Sequence, residues 1–405
     1  MMNLTVFGVG AAGNKAVITL LKNKVVDQQH VKLLNTTSKD IPEEDIETVT
    51  KSNLFVPLPS ALGGCGKESA KGRAAMLKAI KGHLVNFGKL FNEDSSEVVI
   101  VSSVEGGTGS GSAPVIATYF SAMNIPVHVF ALIGFQDEAR GINNTLKFFK
   151  DLPSGVILHT INNAAFLDHS DNYGKAEQAA NEEFSKQIDI LRGSKIVPSK
   201  QNIDDTDLYK VNTTPGYMTI NHIPLNGVKN ADQFNSAIAA SFDNVCYLDS
   251  DPSAKRIAVI INTSKPDAID NKFEVIQRYV GTPFEIFRHI QNDGDDEYIN
   301  IIACGMNYPE RAIKDINSKY EQLKQGLNSK YKSFDDIFGS LDLDTSGEYD
   351  VDVRRMADPA DVDKLFANED FGDINPNPPA AVNATNGVME DVITVRSHSN
   401  VDGEY

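Results

Sequence analysis

Glu105-Gly106-Gly107-Thr108-Gly109-Ser110-Gly111 is the stretch that decides how this chain is read. The apolar run Val98-Val99-Ile100-Val101 precedes it, and a helix-like run from Ser112 to Met123 follows. Strand, glycine loop and helix in that order make a cradle for phosphate. Glycine lets backbone N–H groups approach an anion closely, and the helix start adds positive dipole. The common ATP/GTP loop ends in Gly-Lys-Ser/Thr, whereas no lysine follows Gly111. Thr108 and Ser110 must serve as the hydroxyl donors instead.

A second glycine turn, Gly8-Val9-Gly10-Ala11-Ala12-Gly13-Asn14, follows the strand expected over Leu4 to Gly8 and leads into a helix expected over Gly13 to Leu21. As a GxGxxG it has two readings. Dinucleotide binding wants an Asp or Glu at the end of the second strand to hold the ribose. That strand, Val31 to Leu34, ends in Leu33-Leu34-Asn35 with no carboxylate in place. Two glycine loops on one sheet suit a nucleoside triphosphate better. An NAD-dependent oxidoreductase and a non-hydrolysing nucleotide-binding scaffold stand as the rivals from other classes.

Further strands are expected at Val127 to Ile133 and Val156 to Ile161, and Leu77, Ile80, Leu84, Phe87 and Phe91 recur at helical spacing as one buried face. Strands alternating with helices predict a parallel sheet covered on both sides, with ligands beyond the carboxyl ends of the strands. A long helix follows, with Ala180, Phe184, Ile188 and Leu191 on one stripe and Gly193 as its stop. Past Pro215 the pattern changes to strands at Tyr217 to Ile220, Arg256 to Ile261 and Tyr298 to Cys304, with helices at Asn230 to Phe242, Ile269 to Val280 and Pro309 to Leu327. The expected fold is α/β: a parallel-sheet nucleotide-binding domain (1–175), a long central helix (176–194), a smaller α+β domain carrying an acidic loop (195–307), a C-terminal helix (308–330) and a disordered acidic tail (331–405).

Composition bounds the function. The chain has 405 residues and a net charge of −17, which argues against holding nucleic acid through a basic face. From Asp335 to Tyr405 there are 17 acidic and 4 basic residues, so most of the excess charge sits in this tail. The three cysteines, Cys65, Cys246 and Cys304, show no metal spacing, and the eight histidines form no ligand pattern. No apolar run reaches the ~18 residues of a membrane span, and the start, Met1-Met2-Asn3-Leu4-Thr5-Val6, reads as a strand rather than a signal peptide. A soluble, cytoplasmic protein with no membrane partner and no metal site of its own is expected.

The glycine run resembles the tubulin/FtsZ signature GGGTGSG, departing only at Glu105. The resemblance implies a GTPase that binds GTP/GDP, with Mg2+, and polymerises head to tail. It carries roles onto matching positions. The first turn (Gly8, Gly10, Ala11, Ala12, Gly13, Asn14) would contact the α- and β-phosphates, and Gly106, Gly107, Thr108, Gly109, Ser110 and Gly111 the rest. Gly63-Gly64-Cys65-Gly66-Lys67-Glu68 resembles the loop that senses the γ-phosphate, placing Gly64, Cys65, Gly66 and Lys67 in the site; its wording, like that of Asn35-Thr36-Thr37-Ser38-Lys39-Asp40, is most similar to the TubZ branch of plasmid and phage tubulins. Cys65 reads as space-filling, since nothing near it marks a nucleophile. Gly134-Phe135-Gln136-Asp137-Glu138-Ala139-Arg140 resembles the ribose loop, with Glu138 as acceptor and Arg140 near, but out of register with, the basic position.

Asn163 and Asn181 match the amides that read the guanine edge. The stacking aromatic four residues before Asn181 is replaced by Glu177, with Tyr173 as a substitute. Asn202-Ile203-Asp204-Asp205-Thr206-Asp207-Leu208 resembles the loop inserted into the neighbouring subunit's nucleotide site, which assigns Asn202, Asp204 and Asp207 to catalysis. The bland reading of that loop is an acidic surface turn. The implied biology is plasmid or phage DNA positioning, with an FtsZ-like division filament as the alternative. An adaptor protein would dock on the tail, where Val362, Leu365 and Phe366 form a short amphipathic segment.

Overall fold

The computed structural model describes residues 2–330, apart from 61–62, 170–171, 200–201, 244, 267–268, 270–272 and 295. The tail and its docking segment lie outside the described residues.

One ten-stranded sheet organises the chain. Its strands are β1 (Leu4–Val9), β2 (Val31–Asn35), β3 (Phe55–Pro57), β4 (Glu97–Ser103), β5 (Val127–Ile133), β6 (Ile157–Asn162), β7 (Gly216–Pro224), β8 (Arg256–Asn262), β9 (Glu285–Gln291) and β10 (Tyr298–Met306). The order is β3-β2-β1-β4-β5-β6-β7-β10-β8-β9. All neighbours run parallel except β7 with β10 and β10 with β8. The strands of 195–307 therefore continue the first sheet, joined to it where Ile157 and Leu158 of β6 meet Gly216 and Tyr217 of β7. The central strands β1, β4 and β5 are buried almost throughout, because helices cover both faces.

The helices are α1 (Gly10–Lys22), α2 (Ile46–Lys51), α3 (Ser69–Lys81), α4 (Phe87–Leu90), α5 (Gly107–Ala122), α6 (Ala139–Asp151), α7 (Tyr173–Arg192), α8 (Asp205–Asn212), α9 (Ala231–Phe242), α10 (Glu274–Val280) and α11 (Glu310–Lys330). One core lies under α3, α5, α6, α9, α10 and α11, the other under α1, α7 and α8. The stripe expected on α7 is buried, and Gly193 caps it in the left-handed region at φ 63°.

Four details differ from the sequence expectation. Both helices after the glycine loops begin inside the loops, at Gly10 and Gly107, so the glycines are first-turn residues. The stripe from Leu77 to Phe91 is broken at Gly82 into α3 and α4, leaving Leu84 in the turn and 62% exposed. The helix expected over Ile269 to Val280 is confined to Glu274–Val280, behind Phe273 at φ 54°. Strands β3 and β9 and helix α8 were not anticipated.

Candidate functional site

Helices α1 and α5 converge head-on at the carboxyl edge of β1 and β4. A Cβ on Gly10 would stand 3.0 Å from the Gly109 nitrogen, so the two N-termini touch. Neither helix carries an acidic residue in its first turn. Their unpaired N–H groups and dipoles therefore face the same space with no carboxylate from their own first turns, an arrangement that favours an anion.

That space is a cleft of about 650 Å³. It is lined by Gly10, Ala11 and Ala12 from the first turn, Gly64, Cys65, Gly66 and Lys67 from the γ-phosphate-type loop, Gly106 to Gly109 from the signature run, and Glu138 and Asn163 beyond β5 and β6. Thr36, Asp40, Glu105, Phe135, Tyr173 and Glu177 complete much of the wall. Thr108 anchors it: Oγ1 lies 3.0 Å from the Thr36 hydroxyl and donates to Cys65 Sγ at 3.4 Å. Cys65 is buried between them, which fits the space-filling reading. Across the mouth, Lys67 Nζ donates to both oxygens of Glu138 at 2.7 Å, and Arg140 donates to the Gly66 carbonyl at 3.1 Å. In this form Glu138 is engaged by lysine, and Arg140 serves the loop from outside the cleft wall.

Several residues expected at the nucleotide lie outside the cleft lining, and some of them have packing roles. Gly8, Gly13, Ser110 and Gly111 do not line the cleft. A Cβ on Gly13 would run into the Val101 carbonyl, and one on Gly111 into that of Ser69, so these glycines permit close packing of α1 on β4 and α5 on α3. The Ser110 hydroxyl donates back to the Gly106 carbonyl. Asn181 sits on α7 one turn beyond Glu177 and also falls outside the lining. Asn14 is buried with both amide atoms unpartnered, behind the cleft wall.

Sequence reasoning missed Glu105. Its carboxylate accepts the Gln136 N–H at 3.1 Å, and burial pushes its pKa up. Gly134 leaves the room it occupies, since a Cβ there would collide with the carboxylate. Tyr173 stacks on Phe135 at 4.1 Å and 15°, and its hydroxyl donates to Asp137 at 3.1 Å.

The acidic loop lies elsewhere. Asp204 is the N-cap of α8, accepting the Asp207 N–H at 2.8 Å, and Asn202 accepts the Ser199 N–H. None of Asn202, Asp204 and Asp207 lines the cleft. Helix α7 starts at the cleft with Tyr173 and Glu177 and runs 20 residues, about 30 Å, to Arg192. Arg192 Nε donates to the Met2 carbonyl, at the far end of β1, and Asn212 at the end of α8 donates to Leu191 O at 2.8 Å. The cleft therefore lies at the start of α7, and the acidic loop follows its end.

The model for the Tubulin/FtsZ family, GTPase domain, matches residues 3–171. Residues 3–171 are thus similar to the GTPase domain of that family. The tubulin-like protein CetZ2 of Haloferax volcanii is 21% identical over 287 residues, covering 66% of this chain and 73% of that protein. Two solved structures share the fold: Clostridium botulinum phage c-st TubZ (TM-score 0.64, 16% identity, 80% of this chain and 99% of that one) and a GTPγS-bound protofilament of Haloferax volcanii CetZ2 (TM-score 0.63, 17% identity, 80% and 100%).

The nucleotide of the GTPase domain is GTP or GDP, typically with Mg2+. The residues present fit it. Asn163 Oδ1, in the cleft wall, is buried without a hydrogen-bond partner, an acceptor left open for a base edge. Among the described residues no group of three or more His, Cys, Asp or Glu is gathered for a metal, so a Mg2+ here would rest largely on phosphate oxygens. No helix among the described residues is long and apolar enough to cross a membrane.

Proposed function

We propose that the chain is a GTP-driven, filament-forming GTPase whose hydrolytic site is built between subunits, and that it moves or positions plasmid or phage DNA. One observation carries the first half. The cleft meets the start of α7, the acidic loop follows the end of that helix, about 30 Å long, and neither Asp204 nor Asp207 lines the cleft, so a molecule does not bring them to its own nucleotide. A second copy stacked end on end presents them. The contact is heterologous and does not close on itself, so it repeats into a filament.

Within each cleft the α1 and α5 N-termini hold phosphate, Thr108 and Thr36 order the hydroxyl side, and Lys67 neutralises the terminal phosphate. The neighbour's carboxylates orient the attacking water. Positioning and charge supply most of the rate in phosphoryl transfer, so donated carboxylates suffice. Domain 195–307 thus acts as the donor half and 1–175 as the acceptor half. The acidic tail, 331–405, would dock a basic adaptor that holds the DNA.

Light scattering and sedimentation at rising protein concentration test this. GTP should give pelletable filaments above a threshold and turnover that climbs more steeply than enzyme dose, while GDP and NAD give neither. Turnover strictly proportional to dose, with nothing pelleted, contradicts the reading.

A division-ring role is the second reading within the class. Glu105 in place of the first signature glycine and Glu177 at the stacking position favour the TubZ branch over it. Imaging the tagged protein beside labelled replicon DNA and the division site separates the two.

A further inference from the structure

We infer that Glu105 is a positioning residue for Glu138: by accepting the Gln136 N–H it fixes the turn from which the Glu138 carboxylate meets the sugar of a bound nucleotide. The inference rests on the nucleotide-binding reading above and names a residue that sets how well the sugar is held.

The loop between β5 and α6 runs from Gly134 to Glu138. Glu138 is the N-cap of α6, yet its side chain makes no capping bond and accepts from Lys67 instead. It lines the cleft. An ionised carboxylate only accepts hydrogen bonds, and it repels phosphate, so in a bound nucleotide a sugar hydroxyl is the donor that suits it. No bond to its own helix aims this side chain. The backbone of the preceding turn must aim it.

That turn is unusual at Gln136, which carries a side chain yet sits in the left-handed region at φ 56°. Such a conformation persists where the surroundings hold it. Here Glu105 holds it, accepting the Gln136 N–H at 3.1 Å, two residues before Glu138. The carboxylate has little room to leave. A Cβ on Gly134 would collide with it, and one on Gly141, in the first turn of α6, would stand 3.3 Å from Oε2. The main chain of Glu105 is fixed as well. Asn144, buried on α6, donates to the Glu105 carbonyl at 3.0 Å and to the Lys67 carbonyl at 2.8 Å. A glycine at position 105 would offer the Gln136 N–H no side-chain acceptor.

The test measures equilibrium binding of GTP and 2′,3′-dideoxy-GTP to the full-length protein and its variants. Wild type should prefer GTP by about tenfold or more, and Glu138→Ala should abolish that preference. Glu105→Ala should cut the preference by about threefold or more through weaker GTP binding alone, with dideoxy-GTP affinity unchanged. Glu105→Gln should keep most of it, because an amide oxygen accepts the same N–H. Gly134→Ala retains the carboxylate but displaces it, so it should act like Glu105→Ala, and the two combined should do no more than either alone. An unchanged preference in Glu105→Ala overturns the inference. So does an equal loss for both nucleotides, which would make Glu105 a general support of the cleft, or a Glu105→Gln variant as poor as Glu105→Ala. A preference that wild type lacks or Glu138→Ala keeps shows that Glu138 does not meet the sugar, and overturns the inference while the GTPase reading stands. Wild type that binds neither nucleotide sinks both. A preference lost in Glu138→Ala yet kept in Glu105→Ala sinks only the inference.

Discussion

Lys67 Nζ and the Glu138 carboxylate face each other at 2.7 Å across the mouth of the cleft, joining the loop before α3 to the loop before α6. Both side chains are more than half exposed. Such a pair adds little to stability. Its importance lies in what it occupies: the one lysine suited to the γ-phosphate and the one carboxylate expected on the ribose. On the proposed reading, nucleotide entry would exchange this pair for two contacts with ligand. Lys67→Met is therefore expected to weaken GTP binding about tenfold and GDP binding by less, with an unchanged melting temperature. Equilibrium titration with both nucleotides checks it, and equal losses for GTP and GDP contradict it.

On the shared-site reading Asp204 has two duties, capping α8 and supplying a catalytic carboxylate, and two variants separate them. Asp204→Ala removes both the carboxylate and the N-cap of α8, costing about 1 kcal/mol of stability. Asp204→Asn keeps the cap and removes the charge. Both should bind GTP normally and lose turnover by about a hundredfold or more, with filaments that persist longer. Only the alanine variant should melt earlier. Normal hydrolysis by Asp204→Asn would refute the shared-site reading.

Thr108→Ala should weaken nucleotide binding itself, about tenfold, because Thr108 ties Thr36 and Cys65 into the wall at the head of α5. Gly111→Ala acts differently. The added methyl meets the Ser69 carbonyl, so α3 and α5 must separate. A loss of about 2 kcal/mol in stability, read by urea unfolding, is expected.

His159 predicts acid lability. It is fully buried, stacked on Phe130 at 4.0 Å, and 2.9 Å from His128, which in turn pairs with Glu97. Burial, reinforced by His128, holds its pKa well below the ordinary value. The folded protein thus binds fewer protons than the unfolded chain wherever the unfolded histidine, with a pKa of about 6.5, begins to charge. Stability is full above that value and falls as pH drops below it, by up to about 1.4 kcal/mol per unit. Urea midpoints at pH 7.5, 6.5 and 5.5 should stay level across the first interval and decline across the second. A rising midpoint would show that the sign is wrong.

What the sequence disclosed follows from where the signal is local. β1, β4 and β5 are apolar runs because helices cover both faces, and Gly193 stops α7 because only a residue at ease with positive φ ends it there. The cleft residues of the two glycine turns were legible for the same reason. Leu84 misled because helical spacing continued through Gly82 while the chain did not. Strand β9 is half-exposed and lacks an apolar run, so periodicity could not mark it. Glu105 and the Phe135–Tyr173 stack depend on loops meeting in space, as does the finding that Asn181 falls outside the lining. A carboxylate breaking a glycine run was the available hint for Glu105.

The length of α7 sets a direction. Any row of these molecules has one tip with an open cleft and one with an unused carboxylate loop, and the two cannot be interchanged. On the proposed end-on reading, only the tip with the open cleft would exchange guanine nucleotide freely. A minority of subunits carrying a ruined loop would still join the row, then leave their neighbour's triphosphate intact and stall disassembly in proportion to their number.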